Sequence, residues 1–281
     1  MTLARTVALG AIAGSTIFLG LPLGRLRNPH PRLKAFLNAA SAGILLFLLF
    51  DILENATGPL EELVRRATAP VHGAVWGSFA LMAVVYAGGL AAGLLSLLYL
   101  GKYQRSRRAA REIGPGAMAV AEQNEAVLQR TALGLGMSIA TGIGFHNFSE
   151  GLAIGQAAHR GEISLAVLLV VGFALHNATE GFGIVGPLAA GGVRASWGYL
   201  VTAGLVGGGP TFVGTIVGRS VSSQYLFVGF LTLAAGAIIY VVAELLFTGR
   251  RLGAWETTIW GVLFGFLLGL STELVIVAAH A

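Results

Sequence analysis

The chain contains no cysteine among its 281 residues. This absence excludes disulfide bonds, thiolate metal sites and iron–sulfur clusters, so any bound metal must be held by nitrogen and oxygen atoms. Charged residues are also scarce, at 11% of the chain, whereas a soluble domain carries about 25%. Hydrophobic residues make up 55% of the chain, and the mean hydropathy is +0.77. This composition predicts an integral membrane protein.

The apolar residues fall into long runs. A membrane-spanning helix needs about 20 mostly apolar residues, and eight runs reach that length without the alternation of a barrel strand. We therefore predict an all-α polytopic membrane protein with a single transmembrane domain over residues 1–281. Its eight expected transmembrane helices lie at roughly 2–22, 33–53, 73–100, 131–157, 163–187, 197–218, 225–248 and 254–279.

The ends and connections of these runs carry further signals. Arg5 precedes the first run as in a signal peptide, but the run is long for a signal and a basic cluster follows it, so we expect a retained helix. The longest connection, at about 101–130, is expected to be a cytoplasmic loop that is partly helical at its end. No Walker sequence, dinucleotide fingerprint or H-E-x-x-H sequence occurs. We therefore expect neither enzyme activity nor an organic cofactor.

The basic residues indicate an orientation. A net charge of +5 can indicate nucleic-acid binding, but here the 18 Lys and Arg residues stand mostly in short connections between apolar runs, where they direct membrane topology. The positive-inside rule then predicts a multi-pass protein of the inner (plasma) membrane with both termini extracytoplasmic and no nucleic-acid partner. The residues expected in the cytoplasm are Arg25, Arg27, Arg32, Lys34, Lys102, Arg105, Arg107, Arg108, Arg111, Arg130, Arg194, Arg250 and Arg251. Those expected outside are Arg5, Arg65, Arg66, Arg160 and Arg219.

Glycine is abundant, with 41 residues. Small residues let helix backbones approach closely in a lipid bilayer, and the many G-x-x-x-G spacings predict tight packing throughout. They are compatible with a homodimer but do not locate its interface. The spacings occur at Gly89/Gly93, Gly204/Gly208, Gly214/Gly218 and Gly261/Gly265/Gly269.

Two apolar runs contain nearly the same polar sequence, HNFSEG at 146–151 and HNATEG at 176–181. Ionisable residues within a span are costly and mark a functional site by default. Residues i and i+4 of a helix share a face, so each histidine stacks over its glutamate and each asparagine adjoins that face. The two repeats together predict a metal site formed by His146, Asn147, Glu150, His176, Asn177 and Glu180.

Metal binding explains these polar residues best. A divalent cation would offset the cost of burying two carboxylates, and Gly151 and Gly181 leave room for close helix approach. Imidazole suits zinc and iron, and carboxylate and amide oxygens extend the range to manganese. Two alternatives remain open. A membrane haem protein would use His146 and His176 as axial ligands, and a divalent cation channel would line a constriction with the glutamates.

The two repeats resemble the fourth and fifth helices of ZIP transporters, the zinc- and iron-regulated-transporter-like family, in its prokaryotic form. The number of spans, the outside termini and the long connection after the third span are similar as well. The resemblance implies a transport site between helices 4 and 5 that moves divalent cations into the cytoplasm, zinc first, with iron, manganese or cadmium as alternatives. It implies a first metal on His146, Glu150 and Glu180. It also implies a second metal that the same glutamates share with Asn147, His176 and Asn177.

Two departures from the family bear on selectivity. Many bacterial members have Glu-Pro in the sixth helix, whereas Gly209 precedes Pro210 here, so the second metal position lacks a carboxylate and should bind more weakly or accept another ion. A methionine that is common in the family's second helix would correspond to Leu45.

Four further acidic residues stand in or beside spans without an assigned role: Asp51, Glu54, Glu244 and Glu273. The first two are expected at a solvated outer helix end.

Overall fold

The computed structural model is helical almost throughout the part of the chain that it describes. The described residues are 2–25, 30–68, 75–111, 120–160, 163–220, 223–251 and 254–280. They form the helices α1 (Leu3–Ser15), α2 (Pro31–Thr68), α3 (Trp76–Arg111), α4 (Val120–Arg160), α5 (Ile163–Ala190), α6 (Trp197–Gly218), α7 (Gln224–Arg251) and α8 (Trp255–His280). Two short 3₁₀ helices, Thr16–Leu19 and Leu21–Arg25, follow α1.

The helices coincide with the predicted apolar runs, but several continue beyond them. α2 passes through Pro59 and ends at Thr68, whereas its apolar run ends near residue 53. α3 ends at Arg111 and α4 begins at Val120, so much of the segment expected to be a loop at about 101–130 is helix, and residues 112–119 lie outside the described part. Hydropathy detects only the apolar part of a helix, whereas backbone hydrogen bonding continues into its polar ends.

The fold is that of a multi-pass α-helical membrane protein. By length and composition, six helical segments of the described chain can cross a membrane. α4 and α5, which carry the polar repeats, are not among the six, so the predicted eight-span topology stays a prediction. The six segments are Leu3–Arg25, Ala35–Thr68, Trp76–Tyr99, Trp197–Gly218, Gln224–Phe247 and Trp255–Leu274.

The connection from α5 to α6 shows how glycine ends a buried helix. Gly192 has φ 69°, a left-handed conformation that favours glycine. Its N–H donates to the carbonyl of Ala189 at 3.1 Å, and the N–H of Val193 donates to that of Leu188 at 2.8 Å. This is the Schellman arrangement, which satisfies the last carbonyls of α5. α6 then begins at its N-cap Ser196, whose hydroxyl accepts from the N–H of Tyr199 at 3.1 Å.

The helices pack into two groups of four. In the first group, α1, α4, α5 and α6 pack together, with α4 against α6 the most extensive pairing; in the second, α2 packs against α8 and α7, and α3 against α7. Within each group, glycines touch the backbone of the neighbouring helix. A Cβ at Gly214 would meet the carbonyl of Phe148, one at Gly265 that of Ala40, and one at Gly236 that of Leu90. The predicted tight glycine packing is therefore confirmed.

The interface between the two groups is different in kind. It is formed mainly by α4 against α7 and by α5 against α2 and α8. The glycines there approach side chains first: a Cβ at Gly142 would lie 3.3 Å from the Cβ of Ala237, and Gly186 faces the hydroxyl of Ser41. Both groups contain close contacts between glycine and a neighbouring backbone, whereas at Gly142 and Gly186 the nearest atoms across the interface belong to side chains.

Candidate metal site

The first polar repeat forms one wall of a buried site on α4. His146 and Glu150 lie one helical turn apart, and the side chain of each is 6% exposed. The Nε2 atom of His146 lies 3.4 Å from Oε1 of Glu150, as the i,i+4 spacing predicted. The other carboxylate oxygen, Oε2, has no hydrogen-bond partner among the described residues. An ionisable pair with an unsatisfied oxygen is costly in this environment unless a ligand or cation uses it.

The second repeat brings a further carboxylate to the same place. Glu180 is fully buried on α5. It lies on a helix that packs against α4, within hydrogen-bonding reach of Asn147. The structure therefore joins the two repeats, which lie thirty residues apart in sequence, across the α4–α5 contact.

The two asparagines are oriented by neighbouring helices. The Nδ2 group of Asn147 donates to the carbonyl of Gly207 in α6, and that of Asn177 donates to the carbonyl of Ala13 in α1, both at 3.0 Å. Because only the amide nitrogen can donate to a carbonyl, each Oδ1 atom must point the other way. Both Oδ1 atoms are buried without a hydrogen-bond partner in the described chain. Each repeat thus contains a buried amide oxygen that is not used by the described chain, and amide oxygens are a ligand type that divalent cations accept.

The glycines that follow the glutamates also have specific neighbours. A Cβ at Gly151 would meet the carbonyl of Thr211 in α6, and one at Gly181 would meet the carbonyl of Ile17. The expected close approach is confirmed, but the approaching segments are α6 and the 3₁₀ helix after α1. These contacts hold the first repeat against α6, which also orients Asn147, and the second repeat against the segment that follows α1.

A cavity of about 280 Å³ lies beside the α4 wall, between the two helix groups. At roughly 30 Å³ per liquid water molecule, it can hold a partly hydrated ion. It extends from the exposed Asn55 on α2 to the buried Glu150 on α4. Its lining residues are Asp51, Asn55, His146, Ser149, Glu150, Ala153, Phe173, Phe227, Leu231 and Glu273.

The cavity includes two acidic residues whose roles the sequence left open. Asp51 was expected at a solvated helix end, but α2 continues past it, and Asp51 faces the cavity with His146. Glu273 approaches from α8. Glu54 and Glu244 are not among the lining residues. The sequence favoured a solvated helix end for Asp51 over a role in gathering cations, whereas the residue lines the cavity.

Other predicted positions lie elsewhere. Leu45, expected near the first metal, is fully buried in the hydrophobic core, away from the cavity lining. A Cβ at Gly209 would meet no atom within 4 Å, so a larger side chain has room there. The backbone of His176 belongs to α5, but its side chain lies outside the described residues. One predicted ligand of the second metal therefore lies outside the described side chains.

The described side chains do not form a compact carboxylate–histidine cluster. Among them, no three His, Asp or Glu residues stand together in an arrangement that could hold a metal ion. Of the predicted site residues, His146 and Glu150 line the cavity, whereas Glu180, Asn147 and Asn177 are not among its lining residues. A cation bound there would draw on oxygen ligands in addition to the ionisable groups.

Comparison of the chain with protein-family models and with curated proteins gives no match. Any function must therefore be argued from the residues and their arrangement.

Proposed function

We propose that this protein is a membrane transporter that moves a divalent metal cation, zinc first and iron, manganese or cadmium as alternatives, into the cytoplasm. The observation that supports the proposal best is the buried His146–Glu150 pair on α4, which lines a cavity together with Asp51 and Glu273. Imidazole and carboxylate groups suit a dication. The resemblance of the two repeats to ZIP transporters supports the same cargo.

The proposed topology has eight transmembrane helices and both termini outside the cytoplasm. Two pairs of basic and aromatic residues fit membrane interfaces at these helix ends, because Trp lies at both membrane–water interfaces and Arg is enriched on the cytoplasmic side. The guanidinium of Arg25 lies 4.5 Å from the ring centroid of Trp197, and that of Arg250 lies 5.2 Å from that of Trp255. Both pairs fall at helix ends that the positive-inside rule assigns to the cytoplasm.

In this proposal, the site loads from the cavity between the helix groups. Asp51 and Glu273 attract a hydrated cation, and the α4 wall exchanges part of its water for imidazole and carboxylate ligands. The amide oxygens of Asn147 and Asn177 are held in place by the carbonyls of α6 and α1, so they need little reorganisation to accept the ion. Loss of the contacts that orient a metal ligand commonly lowers metal affinity by about 10–100-fold.

Metal uptake into vesicles of the reconstituted protein tests the proposal. We expect saturable zinc uptake by the intact chain and a loss of about 10-fold or more in His146→Ala and in Glu180→Ala, since each removes a proposed ligand. Glu256→Ala is the matched control, because Glu256 is exposed in the first turn of α8. Zinc, manganese, iron and cadmium are each measured. Undiminished uptake of all four metals by both site variants would show that the site is wrongly assigned, and single-channel currents would favour the channel alternative.

A further inference from the structure

Ser149 shares the cavity-facing side of α4 with the two ionisable residues. It stands three residues after His146 and one before Glu150, and all three line the cavity together with Ala153. This set follows the i, i+3, i+4, i+7 spacing of one helix face. The side chain of Ser149 is fully buried. The metal prediction from the sequence did not use this residue.

The hydroxyl of Ser149 is unusual for a serine in a helix of this protein. Helical Ser and Thr side chains commonly donate to the carbonyl of residue i−4. Ser138, Thr141 and Ser41 do so at 3.0, 2.9 and 3.0 Å. The Oγ atom of Ser149 has no hydrogen-bond partner in the described chain, although it is buried. Buried polar atoms in native proteins rarely lack a partner, and such an atom on a cavity wall indicates a ligand.

Thr211 is the other described residue whose buried hydroxyl lacks a hydrogen-bond partner. It lies away from the cavity lining, against Gly14 of α1 and Gly151 of α4. Ser149 therefore combines an unsatisfied oxygen with a position next to space that an ion can occupy. Thr179 stands at the same place in the second repeat, so that both repeats read H-N-x-[S/T]-E-G.

The ligands around the cavity are nitrogen and oxygen atoms. The cavity lining contains no methionine, and the chain has no cysteine. Oxygen ligands suit hard cations such as manganese, whereas sulfur ligands favour soft cations such as copper(I). A serine hydroxyl between imidazole and carboxylate adds one more hard ligand to a site that has no soft one.

We propose that Ser149 is a specificity-determining residue whose hydroxyl contacts the cation, or a water bound to it, and sets the preference for manganese relative to cadmium. This inference rests on the proposed transport function, and the property that it assigns to Ser149 is the choice between hard and soft cations. Replacing the hydroxyl by a thiol changes the ligand from hard to soft at nearly constant volume. Replacing it by hydrogen, as in alanine, removes the ligand.

The experiment measures manganese uptake into vesicles in the presence of increasing cadmium, together with binding of each metal to the purified protein by calorimetry. For Ser149→Cys, we expect the cadmium concentration that halves manganese uptake to fall about 10-fold, because thiolate favours the softer ion. For Ser149→Ala, we expect manganese affinity to fall several-fold with little change for cadmium. Ser138→Cys and Ser138→Ala are the matched controls, because Ser138 lies in the same helix and its hydroxyl is bonded to Gly134.

The outcomes separate this inference from the proposed function. If the intact protein neither takes up nor binds any of the four divalent metals, the transport proposal fails, and the role of Ser149 with it. If the intact protein transports metal and the ratio of manganese to cadmium is the same in both Ser149 variants, only the Ser149 inference is overturned. An equal change of the ratio in the Ser138 variants would also overturn it, since the effect would not depend on the cavity.

Discussion

At the scale of single residues, the two asparagines of the polar repeats are held in a fixed orientation by neighbouring helices. Asn147 and Asn177 each use their amide nitrogen to hold a backbone carbonyl of another helix. Asn38 makes the same kind of bond to the carbonyl of Leu245, at 2.9 Å, where α2 meets α7. All three leave Oδ1 buried without a hydrogen-bond partner in the described chain, but only the first two stand in the polar repeats. Asn38 therefore provides an internal comparison.

Replacing Asn147 by leucine should destabilise the protein and also impair metal binding. The change removes the bond to Gly207, and interhelical hydrogen bonds in membrane proteins contribute about 0.6–2 kcal/mol each. It also removes the amide oxygen that we propose as a metal ligand. The matched control, Asn38→Leu, should lower thermal stability by a similar amount without affecting zinc affinity. Thermal unfolding in detergent and zinc calorimetry distinguish the two effects.

The contrary result is equally clear. If Asn147→Leu and Asn38→Leu have the same zinc affinity as the intact chain, the oxygen of Asn147 does not contact the metal. Its amide is then only an interhelical contact between α4 and α6, and the site must be confined to the ionisable residues.

The sequence predicted the site only where local geometry was sufficient. The pairing of His146 with Glu150 follows from helical spacing alone, and it is found. The joining of the two repeats in one site was predicted from their duplication, because no local rule says which helices pack together. The direction of each asparagine oxygen depends on carbonyls in α1 and α6, which are distant in sequence. Ser149 gave no local signal except its counterpart Thr179 in the second repeat.

At the scale of helices, the sequence predicted the number and position of the elements well and their lengths poorly. Apolar runs locate helices because lipid requires satisfied backbone groups. The end of α2 was predicted too early, near residue 53, because Asp51 and Glu54 interrupt the apolar run. The helix nevertheless continues to Thr68, so Asp51 lies within the helix and not at its end.

Glycine contacts on α6 make a second helix-scale prediction. A Cβ at Gly214 would meet the carbonyl of Phe148 and lie 3.1 Å from the amide nitrogen of Leu152. Gly214→Ala should therefore force α4 and α6 apart and cost about 1–3 kcal/mol, the usual range for overpacking. Gly209→Ala is the control in the same helix, because its Cβ would meet no atom within 4 Å; it should be neutral or stabilising by up to about 1 kcal/mol.

Unfolding of both variants in the same detergent measures the difference. Zinc uptake is expected to fall with Gly214→Ala, since displacement of α4 moves both His146 and Glu150. Equal stability of Gly214→Ala and Gly209→Ala would mean that α4 and α6 are not in backbone contact at this position. The tight packing of the first helix group would then need another explanation.

At the scale of the whole molecule, the division into two helix groups suggests how the ion could cross. The proposed ligands on α4 and α5 belong to the first group, whereas Asp51 on α2 and Glu273 on α8 belong to the second. The cavity between the groups is thus lined from both sides. Backbone contacts within each group resist sliding, because glycines and carbonyls interlock, whereas a side-chain interface can repack. Transport by movement of one group relative to the other is consistent with this arrangement.

A disulfide across the group interface tests this movement. A Cβ at Gly142 would lie 3.3 Å from that of Ala237, close to the 3.5–4.5 Å that disulfides span. Oxidised Gly142→Cys/Ala237→Cys protein should therefore lose most of its metal uptake, by about 10-fold or more if movement is required for each turnover, and should recover it on reduction. Since the chain has no cysteine of its own, no other thiol can react.

The matched control joins two positions within the first group. A Cβ at Gly191 would lie 3.2 Å from that of Ala132, which belongs to α4, so Ala132→Cys/Gly191→Cys can form a disulfide of similar geometry without linking the groups. It should leave uptake unchanged in both redox states. Suppose that mass spectrometry shows complete oxidation of the Gly142→Cys/Ala237→Cys pair, and that the oxidised protein takes up metal as fast as the protein with free thiols. The groups then do not move past each other at this contact. The ion would then have to cross by side-chain rearrangement within the cavity, which is the behaviour of a channel and not of a carrier.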